Sequence, residues 1–160
     1  MNEKELAIFE DAKNMANIAV WGVELQIKRL QSQKNEISDF VMQPVVDFHF
    51  LIVALTRLRQ SASLVSKISD ISTAINTFDS AIPDLRTVRN ILEHIDEYRI
   101  GKGNNKSVPK DSFQTILFGK KSIKWVNYEI NLESAMKASS DLFTVIKGIS
   151  LNNTLQRTSR

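Results

Sequence analysis

The stretch FHFLIVALTRLRQSASLV, residues 48–65, contains FLIVAL at 50–55, the longest uninterrupted apolar run of the chain. Its apolar side chains recur every three or four residues, a spacing that places them on one side of an α-helix. They are Phe48, Leu51, Ile52, Leu55, Leu58, Ala62 and Val65. We predict a helix that begins near Pro44, because proline is tolerated in a first helical turn, and that ends near Lys67.

The residues before this stretch predict another long helix, over 1–33. Its apolar positions also fall at spacings of three, four and seven, so one stripe of this helix is apolar. They are Leu6, Phe9, Ala16, Val20, Val23, Ile27 and Leu30. Two long amphipathic helices bury such stripes against each other and against further helices, which predicts a helical bundle.

Two shorter helices are predicted after residue 67. The first runs from Asp70, a candidate N-cap, to Phe78. The second begins at Pro83 and ends at Gly101 or Gly103, because glycine readily adopts the left-handed conformation that stops a helix. The following residues, NNKSVPKD, have the composition of a loop.

The pattern then changes to β-branched and aromatic residues. FQTILFG (113–119) and SIKWVNYEI (122–130) flank GKK and predict a two-stranded β-hairpin. From Asn131 the pattern is helical again, and the apolar side is Leu132, Ala135, Met136, Leu142, Val145 and Ile146. We therefore expect a single, mainly α-helical domain over 1–150, with four to five helices and a small β-hairpin before the C-terminal helix. Residues 151–160 are expected to form a flexible tail.

The composition is that of a globular domain. The 160 residues are 42% hydrophobic and 24% charged, and the formal net charge is +3. The chain has no cysteine, which excludes disulfides, cysteine nucleophiles and thiolate metal sites. The N-terminus is too charged for a signal peptide, and the longest apolar run is too short to span a membrane. We expect a cytoplasmic protein without a membrane partner.

The stretch VRNILEH, residues 88–94, carries one of the two histidines. On a continuous helix the polar side would present Arg86, Arg89, Asn90, Glu93, His94, Glu97 and Tyr98. Arg89 and His94 are separated by about 140° around the axis, so one helix does not point both at a single atom. The pairs Arg89–Glu93 and Asn90–His94 also fit an ordinary solvated face, on which i, i+4 contacts are common.

RNILEH, residues 89–94, resembles the Arg-x4–6-His motif of HEPN domains, in the form with a polar residue after the arginine. HEPN proteins are small, all-helical domains that carry this motif on a helix in their second half. The resemblance covers about residues 1–100 and the final helix. It departs from the family at Asp96, where some toxins of the family carry a tyrosine; here Tyr98 follows two residues later.

The resemblance implies a metal-independent endoribonuclease without a cofactor, in which a homodimer brings together residues of two protomers. His94 would transfer the proton of an RNA 2′-hydroxyl, a task suited to histidine near neutral pH. Arg89 would stabilise the charge on the phosphate, and Asn90 would orient the substrate or the partner's histidine. The family also suggests a toxin or defence role, with an antitoxin or a nucleotidyltransferase as a partner.

Further substrate contacts are expected around this motif. Arg86 and Tyr98 share its polar face. The segment from Arg99 to Lys124 holds seven basic residues and one acid, a composition that fits either a solvated loop or a track for a phosphate backbone. Its candidate RNA contacts are Lys102, Lys106, Lys110, Lys120, Lys121 and Lys124, of which Lys102, Lys120 and Lys121 are the principal ones.

Two other functions stay open on this sequence. One is a catalytically silent HEPN-like module that binds nucleotide or RNA, or that serves as a dimerising partner. The other is a helical interaction protein outside the family. Among the remaining residues, His49 is expected to be a buried core histidine, because it lies on a strongly apolar helix. Trp21, Trp125 and Tyr128 are expected in the core or at an interface.

Overall fold

The structure is a computed structural model that describes residues 2–32, 43–109, 113 and 116–149. In these ranges the chain forms six helices and a three-stranded sheet. The elements are α1 (Glu3–Gln31), α2 (Gln43–Val65), α3 (Ser72–Ala81), α4 (Leu85–Glu93), α5 (Ile95–Arg99), β1 (Ile116–Phe118), β2 (Ser122–Trp125), β3 (Tyr128–Asn131) and α6 (Leu132–Gly148). The mainly α-helical fold is confirmed, whereas the predicted tail at 151–160 lies outside the described residues.

Helices α1 and α2 pack along each other and form the centre of the bundle. All seven apolar residues predicted for α2 are buried, and so are five of the seven predicted for α1. A capping box starts α1: Glu5 N donates to Asn2 Oδ1, and Asn2 N donates to Glu5 Oε2, both at 2.9 Å. No helix in the described ranges is long and apolar enough to cross a membrane.

Helices α3, α4 and α6 complete the bundle. α6 packs against α1, α2 and α3, while α4 packs against α2. The N-cap of α3 is Ile71 and not Asp70, but the Asp70 carboxylate still accepts a hydrogen bond from Ser72 N at 3.0 Å. Pro83 lies in the turn before α4, which begins two residues later. Both predicted helix starts were therefore wrong by one or two residues, the usual imprecision of helix ends.

The predicted two-stranded hairpin is a three-stranded antiparallel sheet in the order β1-β2-β3. The second predicted strand is divided by a two-residue turn at Val126–Asn127, which pairs Trp125 with Tyr128. Val126 has φ of 56°, a conformation that is rare for a β-branched residue. Its side chain packs against the core, so tertiary contacts stabilise a turn that the local sequence does not predict.

An aromatic cluster attaches the sheet to the bundle. Trp125 is 2% exposed, and its ring meets Phe48 of α2 and Phe113 edge-on, with centroids 6.1 Å apart in both pairs. The core position predicted for Trp125 is confirmed, and Tyr128 is half-buried against the same cluster. Trp21 is 65% exposed, so it is not a core residue of the single chain.

On the outer side of the sheet, Ser122 Oγ donates a hydrogen bond to Glu129 Oε1 at 2.6 Å. This hydrogen bond, followed by the nearby Lys124 ammonium at 3.3 Å, holds the pKa of Glu129 below its ordinary value. The carboxylate therefore favours the folded sheet at pH above its ordinary pKa, and this contribution is lost on acidification.

The prediction that His49 is buried was wrong. His49 is exposed, and its ring lies edge-on to Phe50 with centroids 6.0 Å apart. The neighbouring residues Asp47 and Phe48 are buried and point to the other side of α2. Membership of an apolar helix therefore did not predict the burial of His49. Burial depends on the direction in which a side chain points around the helix axis.

Candidate functional site

The motif helix is interrupted at His94. Leu85, Val88 and Ile91 bury α4 against the bundle, but His94 has φ of −119° and ψ of 30°, outside the helical region. The chain resumes as the short helix α5, and His94 N still donates to Asn90 O at 3.1 Å. The prediction of one continuous helix through this histidine was wrong.

Arg89 is held by Glu93 on the same helix. Arg89 Nε donates to Glu93 Oε1 at 2.9 Å, and Arg89 Nη2 lies 2.7 Å from Glu93 Oε2. In this bidentate ion pair the arginine side chain is 36% exposed and the glutamate side chain is 46% exposed. The pair fixes the direction of the guanidinium plane while leaving its outer edge open to a ligand.

His94 lies on the surface at the α4–α5 junction. Its side chain is 53% exposed, and Nδ1 is 3.4 Å from Glu97 Oε1. Asn90, one turn earlier, is also exposed. The histidine therefore has one carboxylate neighbour to orient its ring, and solvent or a second molecule has access to the other ring atoms.

A groove of about 580 Å³ lies beside this motif, between α2, α3 and the start of α4. Its polar lining residues are Thr56, Arg59, Gln60, Ser63, Asp79, Arg86 and Arg89. We call it the arginine groove, because three arginines line it against a single acid. Neither His94 nor Asn90 is among the lining residues, so the arginine groove of one protomer contains Arg89 without His94.

The charges in the arginine groove are unevenly paired. Arg59 donates from Nε to Asp79 Oδ1 at 2.6 Å and from Nη2 to Asp79 Oδ2 at 2.9 Å, and this pair ties α2 to α3. Arg86 is exposed and has no charged partner in the described part of the chain. Thr56 Oγ1 is buried and has no hydrogen-bond partner among the described residues. An unpaired cation beside unused polar groups suits an anionic ligand.

Tyr98 does not share the polar face with Arg86. It is 7% exposed, its ring packs 6.0 Å from that of Phe113, and its hydroxyl accepts a hydrogen bond from Asn105 N at 3.2 Å. The expected surface position of this residue was therefore wrong. Tyr98 follows the buried Ile91 by seven residues, nearly two helical turns, and that spacing already indicated the apolar side.

Replacing Gly103 by alanine is expected to reduce stability by about 1–3 kcal/mol, the usual cost of overpacking. A Cβ at this position would overlap the Tyr98 ring, which Phe113 and Asn105 hold in place. Gly148→Ala is the matched control, because no atom lies within 4 Å of a Cβ there. Urea unfolding compares the two variants, and equal stabilities would contradict the contact between Tyr98 and Gly103.

The expected lysine contacts in the described part of the chain do not line the arginine groove. Lys102 is exposed after α5, and Lys120 and Lys121 are exposed in the turn between β1 and β2. None of the three lines the groove. Lys124 pairs with Glu129 at 3.3 Å, and Lys110 lies outside the described residues. In the described part of the chain, the groove is therefore lined by arginines and by none of these lysines.

Sequence reasoning missed Arg59, Asp79 and Thr56 as parts of the site. A signal for Arg59 was present in the sequence, because α2 has few charged residues and a charge on such an apolar helix needs a partner. Nothing in the sequence places Asp79 beside it, 20 residues later. In the described ranges, no group of three or more histidine and acidic side chains is arranged to hold a metal ion.

Comparisons of this chain with protein-family models, with curated proteins and with solved structures gave no match.

Proposed function

We propose that this protein is a HEPN-like endoribonuclease that holds the RNA backbone in the arginine groove and cleaves it without a metal ion. The observation that carries the proposal is that Arg89, the arginine of the HEPN-like motif, lines the same groove as Arg59 and Arg86. A planar guanidinium matches the geometry of a phosphodiester, and the groove offers more than one.

The proposed reaction is attack of an RNA 2′-hydroxyl on its adjacent phosphate. His94 accepts the proton of the hydroxyl, the new P–O2′ bond forms, and the P–O5′ bond breaks as the leaving O5′ takes a proton from water, which gives a 2′,3′-cyclic phosphate and a 5′-hydroxyl. Arg89 stabilises the negative charge on the phosphoryl oxygens. Asn90 orients the substrate, and Arg86 binds a neighbouring phosphate.

This reaction requires two copies of the chain. His94 lies outside the groove that Arg89 lines, and its side chain is 53% exposed. In the proposal, a second protomer therefore supplies the histidine to the groove of the first, as the HEPN resemblance implies. The toxin role, and an antitoxin or nucleotidyltransferase partner, belong to the same proposal.

A second candidate is a catalytically silent module that binds RNA through the same groove. It is favoured by the bidentate Arg89–Glu93 pair, in which the acid already occupies part of the guanidinium. Both candidates require RNA binding, and only the first requires cleavage. Binding and cleavage must therefore be measured separately.

Arg86→Gln is expected to weaken RNA binding by about 5- to 10-fold for all sequences. It should also reduce the slope of log affinity against log salt concentration by about one, the contribution of one phosphate contact. Arg86 is exposed and unpaired in the described part of the chain, so folding should be unaffected. Fluorescence anisotropy with a labelled RNA at several salt concentrations measures both effects.

Lys147→Gln is the matched control for Arg86, because it removes one exposed positive charge from α6, outside the groove. A triple Lys102→Gln, Lys120→Gln, Lys121→Gln variant tests the lysines in the same assay. An equal loss for Arg86→Gln and Lys147→Gln would indicate that net charge, and not the arginine groove, binds RNA.

A further inference from the structure

Exposed apolar side chains gather on α1 and α2, and none of them lines the arginine groove. They include Ile18, Trp21, Leu25, Phe50 and Val53, which are 74%, 65%, 53%, 52% and 41% exposed. We call these five residues the α1–α2 patch. Single exposed apolar residues are ordinary on a protein surface, but five of them grouped on two neighbouring helices indicate a contact with another molecule.

The patch surrounds a groove of about 500 Å³ between the two helices. Gly22 forms its floor, and a Cβ there would lie 3.2 Å from Ala54 Cβ. Phe50 and Val53 of α2 line the same groove, and glycine adds no side chain to fill it. A bulky apolar side chain from another molecule can therefore enter at this point.

The exposed side of α1 carries residues that can pair with the same side of a second α1 that runs antiparallel to it. These residues, at alternating spacings of four and three, are Asp11, Met15, Ile18, Gly22, Leu25 and Arg29. This is the spacing of a helix–helix seam. When a second α1 runs antiparallel to the first with the two residues 20 opposite each other, position 11 faces 29, 15 faces 25 and 18 faces 22. Asp11 then faces Arg29, and Ile18 faces Gly22.

We propose that a second copy of this chain packs on the α1–α2 patch, with its α1 antiparallel and a two-fold axis near residue 20. Ile18 sits over the partner's Gly22, and Met15 contacts the partner's Leu25. Asp11 forms an ion pair with the partner's Arg29 at each end. A two-fold contact of this kind uses the same surface on both copies.

The charges favour a second copy over a lipid surface or an unrelated partner. In the described part of the chain the Asp11 side chain has no hydrogen bond or ion pair, and it stands in line with the apolar residues. Arg29 pairs through Nε with Asp47 at 3.1 Å and stays 46% exposed, so further donors are open to a carboxylate. A membrane-facing stripe would carry cations and no acid at such a position.

Disulfide cross-linking tests this arrangement cleanly, because the protein has no cysteine. Met15→Cys and Leu25→Cys chains are purified separately, mixed and oxidised. We expect a cross-linked dimer from the mixture and none from either chain alone. Two copies of residue 15 would be about 15 Å apart along antiparallel helices, beyond the roughly 7 Å limit of a disulfide.

Leu117→Cys, mixed with Met15→Cys, is the control, since Leu117 is 59% exposed and lies outside the patch. Cross-linking of each single variant with itself would indicate parallel helices and overturn the proposal. Absence of a cross-link in the mixture would also overturn it, and a dimer held only through α4 gives that result. The patch shares no residue with the arginine groove, so the loss of RNA binding in Arg86→Gln tests the groove separately from this experiment.

Ile18→Lys should convert the protein to a monomer in sedimentation velocity at about 10 μM, a concentration at which a micromolar or tighter dimer persists. Its exposure of 74% means that the fold tolerates the change, which circular dichroism verifies. Val145→Lys, 40% exposed on α6, is the control and should sediment as the wild type. A dimer that survives Ile18→Lys would overturn the proposal.

Discussion

His94→Ala is expected to lower RNA cleavage about 10²–10⁴-fold, the usual contribution of one positioned acid–base group. The fold should be retained, because this side chain is 53% exposed and its one charged contact, with Glu97, is 3.4 Å long. The change in the free energy of unfolding should stay within about 0.5 kcal/mol, as for other surface substitutions. Cleavage is measured on a mixed RNA pool in the presence of EDTA, with the ends of the products identified.

The second histidine provides the matched control. His49 is exposed on α2 and lies outside the arginine groove, so His49→Ala should cleave RNA as the wild type does. Arg89→Ala should lower cleavage by a factor similar to that of His94→Ala without moving the pH optimum, because arginine does not titrate in this range. Cleavage that survives His94→Ala, or that EDTA abolishes in the wild type, would contradict the mechanism. RNA binding without cleavage would favour the silent module.

Leu55→Ala is expected to reduce the free energy of unfolding by about 2–5 kcal/mol, the range for a leucine removed from a packed core. Leu55 has no exposed surface and lies in the middle of α2, the helix that contacts α1, α3, α4 and α6. The loss combines the transfer free energy of the side chain with the cost of the cavity that remains.

Leu117→Ala is the control for Leu55, because it makes the same chemical change at a side chain that is 59% exposed. Its effect should be within about 0.5 kcal/mol. Urea unfolding followed by circular dichroism measures both variants at one protein concentration, since association would add to the apparent stability. Similar losses in the two variants would contradict the placement of α2 at the centre of the core.

The helices that carry the core follow directly from the sequence. The stripe from Phe48 to Val65 predicted α2, and the stripe from Leu6 to Leu30 predicted α1, because a repeat near 3.6 residues places apolar groups on one side only when the backbone is helical. The position of RNILEH on a helix was predictable for the same reason up to Glu93. These features depend on residues one or two turns apart.

The turn that divides the sheet depends on contacts between distant residues, and helical periodicity did not predict the break at His94. Val126 turns the chain between Trp125 and Tyr128, although neither glycine nor proline marks the site. Its conformation is held by packing of the sheet on Phe48 and Phe113 through Trp125. At His94, local periodicity favoured a continuous helix, and the observed backbone departs from it.

The candidate site divides in the same way. By itself the sequence determined the helical bundle and the residues that carry the HEPN resemblance, because both are encoded at short spacing. The tertiary structure alone decided that Arg59 of α2 and Asp79 of α3 join Arg86 and Arg89 of α4 in one groove, and that His94 stays outside it. The directions in which packed helices present their side chains depend on crossing angles and on interruptions of the backbone, and helical periodicity does not specify either.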